Sequence, residues 1–377
     1  MKLLYTNFHT GDGGGHTTYI RELAAALASS HEVHVAAPPG SRLNHEARTL
    51  PGVIVLDQPF PNGLKQWKAR QQAGDQLARY LREQVFDVVH VNGSADHRLV
   101  LSAMPARRPA LVWTKHNSKP VRGIGHWLRA RRTDQVIAVC DYTRSELTHT
   151  AYRRCRLDTV HNGVDIEHWS PWSAADVASE RRRWDGGEAD VLLLGSNAGT
   201  ASYKGWMDLL EAVAALPEAT RRRLRVVIAG VPPKAIELER VAALGLADRV
   251  VFPGVLTDTR PMVAALDAGF VLSWDVETIS FACREMMAMG KPMLLTDYAG
   301  LPENIESGVD GWLVPVRDRS AIGAAVARLL EQRDALPVMG AAARQRAERE
   351  FGLPLFVQRT ESVYQRLLAS RQGSESL

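Results

Sequence analysis

Short apolar runs rich in β-branched residues alternate with segments of helical period almost from end to end of the chain. That alternation predicts α/β units with parallel sheets. It occurs twice. Strands are expected at "KLLYTN", "EVHVAA", "GVIVLD", "DVVHVN", "ALVWTKH", "QVIAVC" and "DTVHNG", then at "DVLLLGS", "RVVIAG", "RVVFPG", "FVLSW" and "PMLLTD", with helices such as 205–215 and 258–268 between them. After a last strand at "GWLVP" the pattern is helical over 318–333, 335–350 and 354–371, and only "RQGSESL" reads as a disordered tail. Between the two series lies "DIEHWSPWSAADVASERRRWDGGEAD", whose proline, charge run and Gly-Gly read as a connection. We therefore expect a first Rossmann-like domain over 1–167, a linker at about 167–188, a second domain over 168–352, and a C-terminal helix and tail over 353–377.

Length agrees with this division, because 377 residues exceed the roughly 250–300 at which one hydrophobic core stops growing. Two doubly wound domains in tandem would face each other across a central cleft at the carboxyl ends of their strands, where such sheets bind ligands. Hydrophobic residues make up 45% and charged residues 23% of the chain, and no apolar run approaches the ~20 residues of a membrane span. The start, "MKLLYTNFHT", reads as a first strand and not as a signal peptide. Cys140, Cys155 and Cys283 are too scattered for a disulfide framework or a zinc site. These features lead us to expect a cytoplasmic location.

The net charge of +4 is unevenly spread, since residues 107–132 hold eight Lys or Arg and no acid. An anionic partner follows. Within "VRGIGHWLRARR", Val121, Ile124, Trp127 and Leu128 fall on one helical face, with Arg122, Arg129, Arg131 and Arg132 around it. That pattern suits an anionic membrane surface, although it also suits a solvated helix packing its apolar side on the first domain. No recognised RNA motif accompanies the charge, so nucleic acid is not expected as a partner.

Candidate chemistry lies at strand ends. In "HTGDGGGHTTYIRELAAAL" the glycines would let the backbone approach a phosphate at a helix start. Neither register completes the dinucleotide fingerprint G-x-G-x-x-G, because His16 and Thr18 occupy the last positions. "GTASYKG" likewise fails as a phosphate-binding P-loop. The segment "WDVETISFACREMMAMGKP" places Glu277 before a helix capped by Thr278 or Ser280, and Glu285 about one and a half turns inside it. Free amides at such a helix start attract phosphate or sugar oxygens. A carboxylate further in could accept two hydrogen bonds from a ribose, each worth roughly 1.5–3 kcal/mol.

Glu277, Ser280, Glu285, Ala288, Gly290 and Pro292 resemble the double-glutamate pattern of the retaining nucleotide-sugar glycosyltransferases of family 4. The resemblance covers most of the chain, with "HNGVD", "YKGWMDLLEA" and "GLPENIESGVDGWLVP" matching further family segments in order. It implies a GT-B fold of two Rossmann-like domains, with the C-terminal helix crossing back to the first. It also implies that Lys204 neutralises the donor diphosphate, Glu285 holds the ribose, and Glu277 and the amides after it, at Ile279 and Ser280, meet the transferred sugar. Gly14 and Gly15 would let the first domain approach the diphosphate, His116 would face the donor sugar, and Arg144 would share the donor's charge. The family's usual arginine before the lysine is absent, its positions held by Ala198 and Gly199, and Arg284 stands where an apolar residue is common.

No Asp-x-Asp occurs, and neither a metal nor another cofactor is expected. The implied activity is transfer of a sugar, with retention of anomeric configuration, from a nucleoside-diphosphate sugar, UDP-sugar first. The expected acceptor is lipopolysaccharide or another lipid-linked cell-envelope glycan, reached by peripheral association with the cytoplasmic face of the inner membrane. Two alternatives stay open: a nucleotide-sugar epimerase on the same fold, and a degenerate glycan- or nucleotide-binding protein.

Overall fold

The computed structural model describes every residue except Ala189, Ser376 and Leu377. The chain divides into two units, one formed by Met1–Gly163 with Leu353–Leu377 and the other by Val164–Gly352.

In the first unit the strands are β1 (Lys2–Thr6), β2 (Glu32–Ala37), β3 (Val53–Asp57), β4 (Val88–Val91), β5 (Ala110–Lys115), β6 (Gln135–Ala138) and β7 (Arg156–Thr159). They form one sheet in the order β3-β2-β1-β4-β5-β6-β7, every neighbouring pair parallel. Strands such as Val88–Val91 and Ala110–Lys115 are buried along their whole length, as expected for a parallel sheet covered on both faces. The helix Leu353–Glu375 belongs to this unit. It is fastened by polar groups as well as packing: the Tyr364 hydroxyl lies 2.6 Å from His90 Nδ1 and 3.0 Å from the Tyr5 hydroxyl. Near its end, Arg371 donates to Asp134 at 3.3 Å and to the Arg108 carbonyl at 2.8 Å. Those bonds explain why the segment read as a disordered tail is helical through Glu375; the rest of it lies outside the described residues.

The second unit holds β8 (Leu192–Ser196), β9 (Leu224–Ile228), β10 (Val250–Val251), β11 (Ala268–Val271), β12 (Met293–Thr296) and β13 (Gly311–Val314). Their order is β10-β9-β8-β11-β12-β13, again all parallel. Side chains alternate across the sheet. Leu193, Val227, Val271, Met293 and Leu295 enter one apolar layer, while Leu192, Leu194, Val226, Phe270 and Leu294 enter the layer on the other face.

The segment 167–188, expected to be a linker, is instead part of this unit. Its helix Ala174–Arg181 packs on the helix Arg260–Ala265. Trp184 is buried in the same apolar layer as Leu193, with Trp169, Trp172 and Val177 against it. Arg181 forks onto the Asp267 carboxylate at 2.9 and 3.1 Å. Three tryptophans and an ion pair anchor a run whose charge and Gly-Gly read as a connection.

Candidate active site

In each sheet the strand order reverses beside the first strand of its series, between β1 and β4 and between β8 and β11. Doubly wound sheets bind ligands at the carboxyl ends of the strands at such switch points. The residues that follow β8 and β11 therefore define the place to look in the second unit.

After β8 the chain reaches a 3-10 turn, Ser202–Lys204, and then the helix Trp206–Ala214. Gly205 makes the joint at φ 72°, and a Cβ there would lie 2.0 Å from the Leu272 carbonyl oxygen, so only glycine fits. This close approach carries the turn to the end of β11, where the Trp274 amide donates to the Tyr203 carbonyl at 2.9 Å. The result is that Lys204 Nζ donates to Glu277 Oε2 at 2.5 Å, with both side chains largely buried. The Ser273 hydroxyl at 3.3 Å and the Thr278 amide at 3.3 Å complete the surroundings of Glu277.

Ser280 caps the next helix, Phe281–Ala288, its hydroxyl accepting from the Cys283 amide at 3.4 Å. Glu285 Oε2 accepts from Asn197 Nδ2 at 2.6 Å. Asn197 is the first residue after β8 and was not singled out from sequence. Only its place directly after the strand "DVLLLGS" was visible in the sequence, and its partner, 88 positions on, was not. Ile279 and Ser280 are buried.

The loop is strained. Val276 and Ser280 sit at φ 63° and 52°, and nearby in sequence Ala299 sits at φ 49°, the left-handed region that disfavours side chains with a Cβ. A β-branched residue there is a real outlier, and such strain concentrates at functional sites. The conformation is supported from behind by Arg284, which is fully buried. Its guanidinium lies 3.8 Å from the Phe351 ring centre, and its Nε donates to Asn304 Oδ1 at 2.9 Å. Asn304 in turn donates to the Ile279 carbonyl at 2.9 Å. Arg284, unusual on sequence grounds, braces the segment between the two glutamates.

In the first unit, Gly14 and Gly15 are exposed at the start of the helix Gly14–Leu27. The Gly14 amide already donates to Asp12 Oδ2 at 2.9 Å. His116, just past β5, places Nε2 2.8 Å from Asn92 Oδ1. Asn92 Nδ2 donates to the Thr6 and His90 carbonyls, so its oxygen must accept and His116 must carry its proton on Nε2. His116 stacks at 4.3 Å on His16, which stands 4.8 Å from His9. Burial holds the pKa of His116 well below the ordinary imidazole value and that of His16 down to about 3, and it lowers His9 also. These rings are neutral near pH 7, suited to hydrogen-bonding hydroxyls and not to neutralising phosphate. Asp96 braces the same strand ends, accepting from the Thr6 hydroxyl and the Asn92 amide at 2.8 Å each; burial raises its pKa to about 6. Arg144 is an exposed side chain whose Nε donates to the Leu157 carbonyl at 3.4 Å.

The basic stretch is only partly a surface. Arg108 forks onto Asp134 at 2.7 and 2.8 Å, and Lys115 is buried among carbonyls. The helix Ile124–Ala130 exposes Ile124 (77%), Trp127 (44%) and Leu128 (55%). Arg122, Arg131 and Arg132 are exposed beside them, with Arg131 stacked 4.7 Å over Trp127. Arg129, expected on the same surface, is instead half-buried and turned toward Tyr152, whose burial-raised pKa of about 12 it partly offsets. Seven residues of helix give each side chain its own direction, and that of Arg129 points inward.

Two family models match in tandem: "Glycosyltransferase Family 4" over residues 13–168 and "Glycosyl transferases group 1" over residues 188–332. Together they span both units, and the chain belongs to this family of glycosyltransferases, with its GT-B fold of two Rossmann-like domains. Among relatives, the GDP-mannose-dependent alpha-(1-6)-phosphatidylinositol monomannoside mannosyltransferase of Mycobacterium tuberculosis is 34% identical over 224 residues. That match spans 56% of this chain and 57% of the relative, a little over half its length. The N-acetyl-alpha-D-glucosaminyl L-malate synthase of Bacillus anthracis is 24% identical over 93% of each chain. Among solved structures, Anabaena HepE in complex with UDP superposes with a TM-score of 0.81 at 20% identity, over 97% of this chain and all (100%) of that one.

Proposed function

We propose that the protein is a metal-independent, retaining glycosyltransferase that moves a sugar from a nucleoside-diphosphate sugar to a lipid-linked cell-envelope acceptor such as lipopolysaccharide. The observation that carries this reading is the pairing of Lys204 with Glu277, and of Asn197 with Glu285, at the β8/β11 switch point. Lys204 exchanges its glutamate partner for the donor diphosphate and stabilises the negative charge that grows there as the anomeric C–O bond breaks. The acceptor hydroxyl attacks the anomeric carbon on the face the diphosphate leaves, forming the new C–O bond, and a phosphate oxygen takes the hydroxyl proton. Glu277 lies beside the positive charge that develops on the sugar ring, while Glu285, held by Asn197, accepts the ribose hydroxyls.

The donor is UDP-sugar in this reading. HepE, of the same fold, was solved with UDP, whereas the name of the mycobacterial relative specifies GDP-mannose. A thermal-shift panel of UDP-, GDP-, ADP- and dTDP-sugars decides, since a specific donor stabilises the native state by mass action. The account requires a shift with UDP-sugars and release of UDP when acceptor is added. A sugar interconverted without release would mean an epimerase, and binding without any turnover a non-catalytic protein.

Peripheral binding to an anionic membrane is part of the same proposal. Exposed Ile124, Trp127 and Leu128 ringed by Arg122, Arg131 and Arg132 support it. Among the described residues no helix is long and apolar enough to cross a membrane. The mycobacterial relative is named for a phosphatidylinositol-linked acceptor, which fits an acceptor presented at such a surface.

A further inference from the structure

Beside the Lys204 turn, the second unit contains a cavity of about 280 Å³ that the donor reading does not use. Its walls come from Ser202, from Asp208 and Glu211 on the helix Trp206–Ala214, from Trp274, and from Arg317 and Arg319 at the start of the helix Arg319–Glu331.

The charges in these walls are unequally committed. Asp208 and Glu211 are largely buried and are met by Arg319 at 3.3 and 2.5 Å, and Glu211 also by Arg240. Glu237, on the same rim, is turned to its own backbone and accepts from the Lys234 amide at 2.7 Å. Arg317 differs. Its nearest carboxylate oxygen, on Asp208, is 3.9 Å away, and among the described residues its guanidinium makes no hydrogen bond. It stands 5.0 Å over the Trp274 ring with 57% of its side chain exposed. Among the described residues it is also one of five other than glycine with positive φ, at 59°. A strained backbone thus presents a cation with unused donors beside an indole and two carboxylates whose own charges are already balanced.

We propose that this cavity binds a single sugar ring bearing an anionic group, a phosphate or a carboxylate. The anion meets Arg317, the apolar face of the ring lies against Trp274, and ring hydroxyls donate to Asp208 and Glu211. The volume sits just below the roughly 300 Å³ at which small-molecule sites begin, which admits one ring and excludes longer glycans from complete burial. This site is separate from the proposed donor site and does not depend on the transferase reading.

The test is isothermal titration of the full chain with glucose 6-phosphate, glucuronate, glucose and inorganic phosphate, with UDP titrated on the same samples. We expect glucose 6-phosphate, glucuronate or both to bind at least about tenfold more tightly than glucose or phosphate. Preference for the first identifies a sugar phosphate as the source, and for the second a uronic acid. Trp274→Ala and Arg317→Gly should each weaken that binding about tenfold or more. Arg317→Gly relieves the positive-φ strain, so its melting temperature should not fall and its UDP affinity should persist. Absence of binding by both charged sugars, equal binding by inorganic phosphate, or binding indifferent to both substitutions would overturn the proposal.

Discussion

Replacing Glu277 with Gln is expected to strengthen binding of UDP while slowing sugar transfer, and the two effects have separate causes. In the free protein the Lys204 ammonium is 2.5 Å from the Glu277 carboxylate, with 16% and 11% of the respective side chains exposed. A diphosphate must take over that ammonium and then lie near a carboxylate of like charge. At ~6 Å and an effective dielectric of ~20, one such repulsion is about 3 kcal/mol; residual exposure and salt reduce it to about 1–3 kcal/mol. Glutamine keeps the size and an acceptor oxygen but removes the charge. UDP should therefore bind roughly 5- to 150-fold more tightly to Glu277→Gln. Turnover should fall by about 10²-fold or more, because the carboxylate that offsets positive charge on the transferring ring is lost. The assay is calorimetric titration with UDP, which lacks the sugar and so isolates the first effect, followed by initial rates with the donor found in the thermal-shift panel. The affinity gain should shrink as salt is raised. UDP affinity unchanged or weakened in the variant would refute the claim that Glu277 competes for Lys204.

Three further outcomes are expected. Gly205→Ala forces a Cβ to 2.0 Å from the Leu272 carbonyl at φ 72°, so it should cost about 2–4 kcal/mol and lower the melting temperature by roughly 5–10 °C; an unchanged melting curve would contradict the close approach that positions Lys204. Asp96 has its pKa raised to about 6 by burial, so the folded state holds a proton that the unfolded state releases nearer pH 4; as pH falls through that window wild type should gain up to about 3 kcal/mol relative to Asp96→Asn, a difference that separates Asp96 from the buried neutral histidines, which destabilise both proteins alike on acidification, and an unchanged difference in denaturation midpoint would refute it. Reversing the charge at Arg122, Arg131 and Arg132 together should reduce sedimentation with vesicles containing anionic lipid, and sedimentation equal to wild type would remove the membrane proposal.

Much of this was legible in the sequence because its information is local. Parallel strands buried on both faces read as continuous apolar runs, and Lys204, Ser280 and Glu285 stand in segments that resemble the motifs of the glycosyltransferase family. What escaped depends on partners distant along the chain. Asn197 reaches Glu285 across 88 positions, and nothing in "GSNAG" announces that. Arg284 reads only as a charge where an apolar residue is common, and its setting becomes visible with Phe351 and Asn304 around it. The run 167–188 reads as a connection on its proline, charge run and Gly-Gly, yet Trp184 and the Arg181–Asp267 pair decide its place. The inward turn of Arg129 follows from Tyr152, a residue outside its own helix.

The central claim is that the second unit grips a nucleoside diphosphate through Lys204 and Glu285. It is tested most directly by titrating UDP into wild type and Glu285→Ala. The account predicts saturable binding by wild type and a loss of about tenfold or more in the variant, the equivalent of one charge-assisted hydrogen bond to ribose. UDP affinity equal in the two proteins would contradict it.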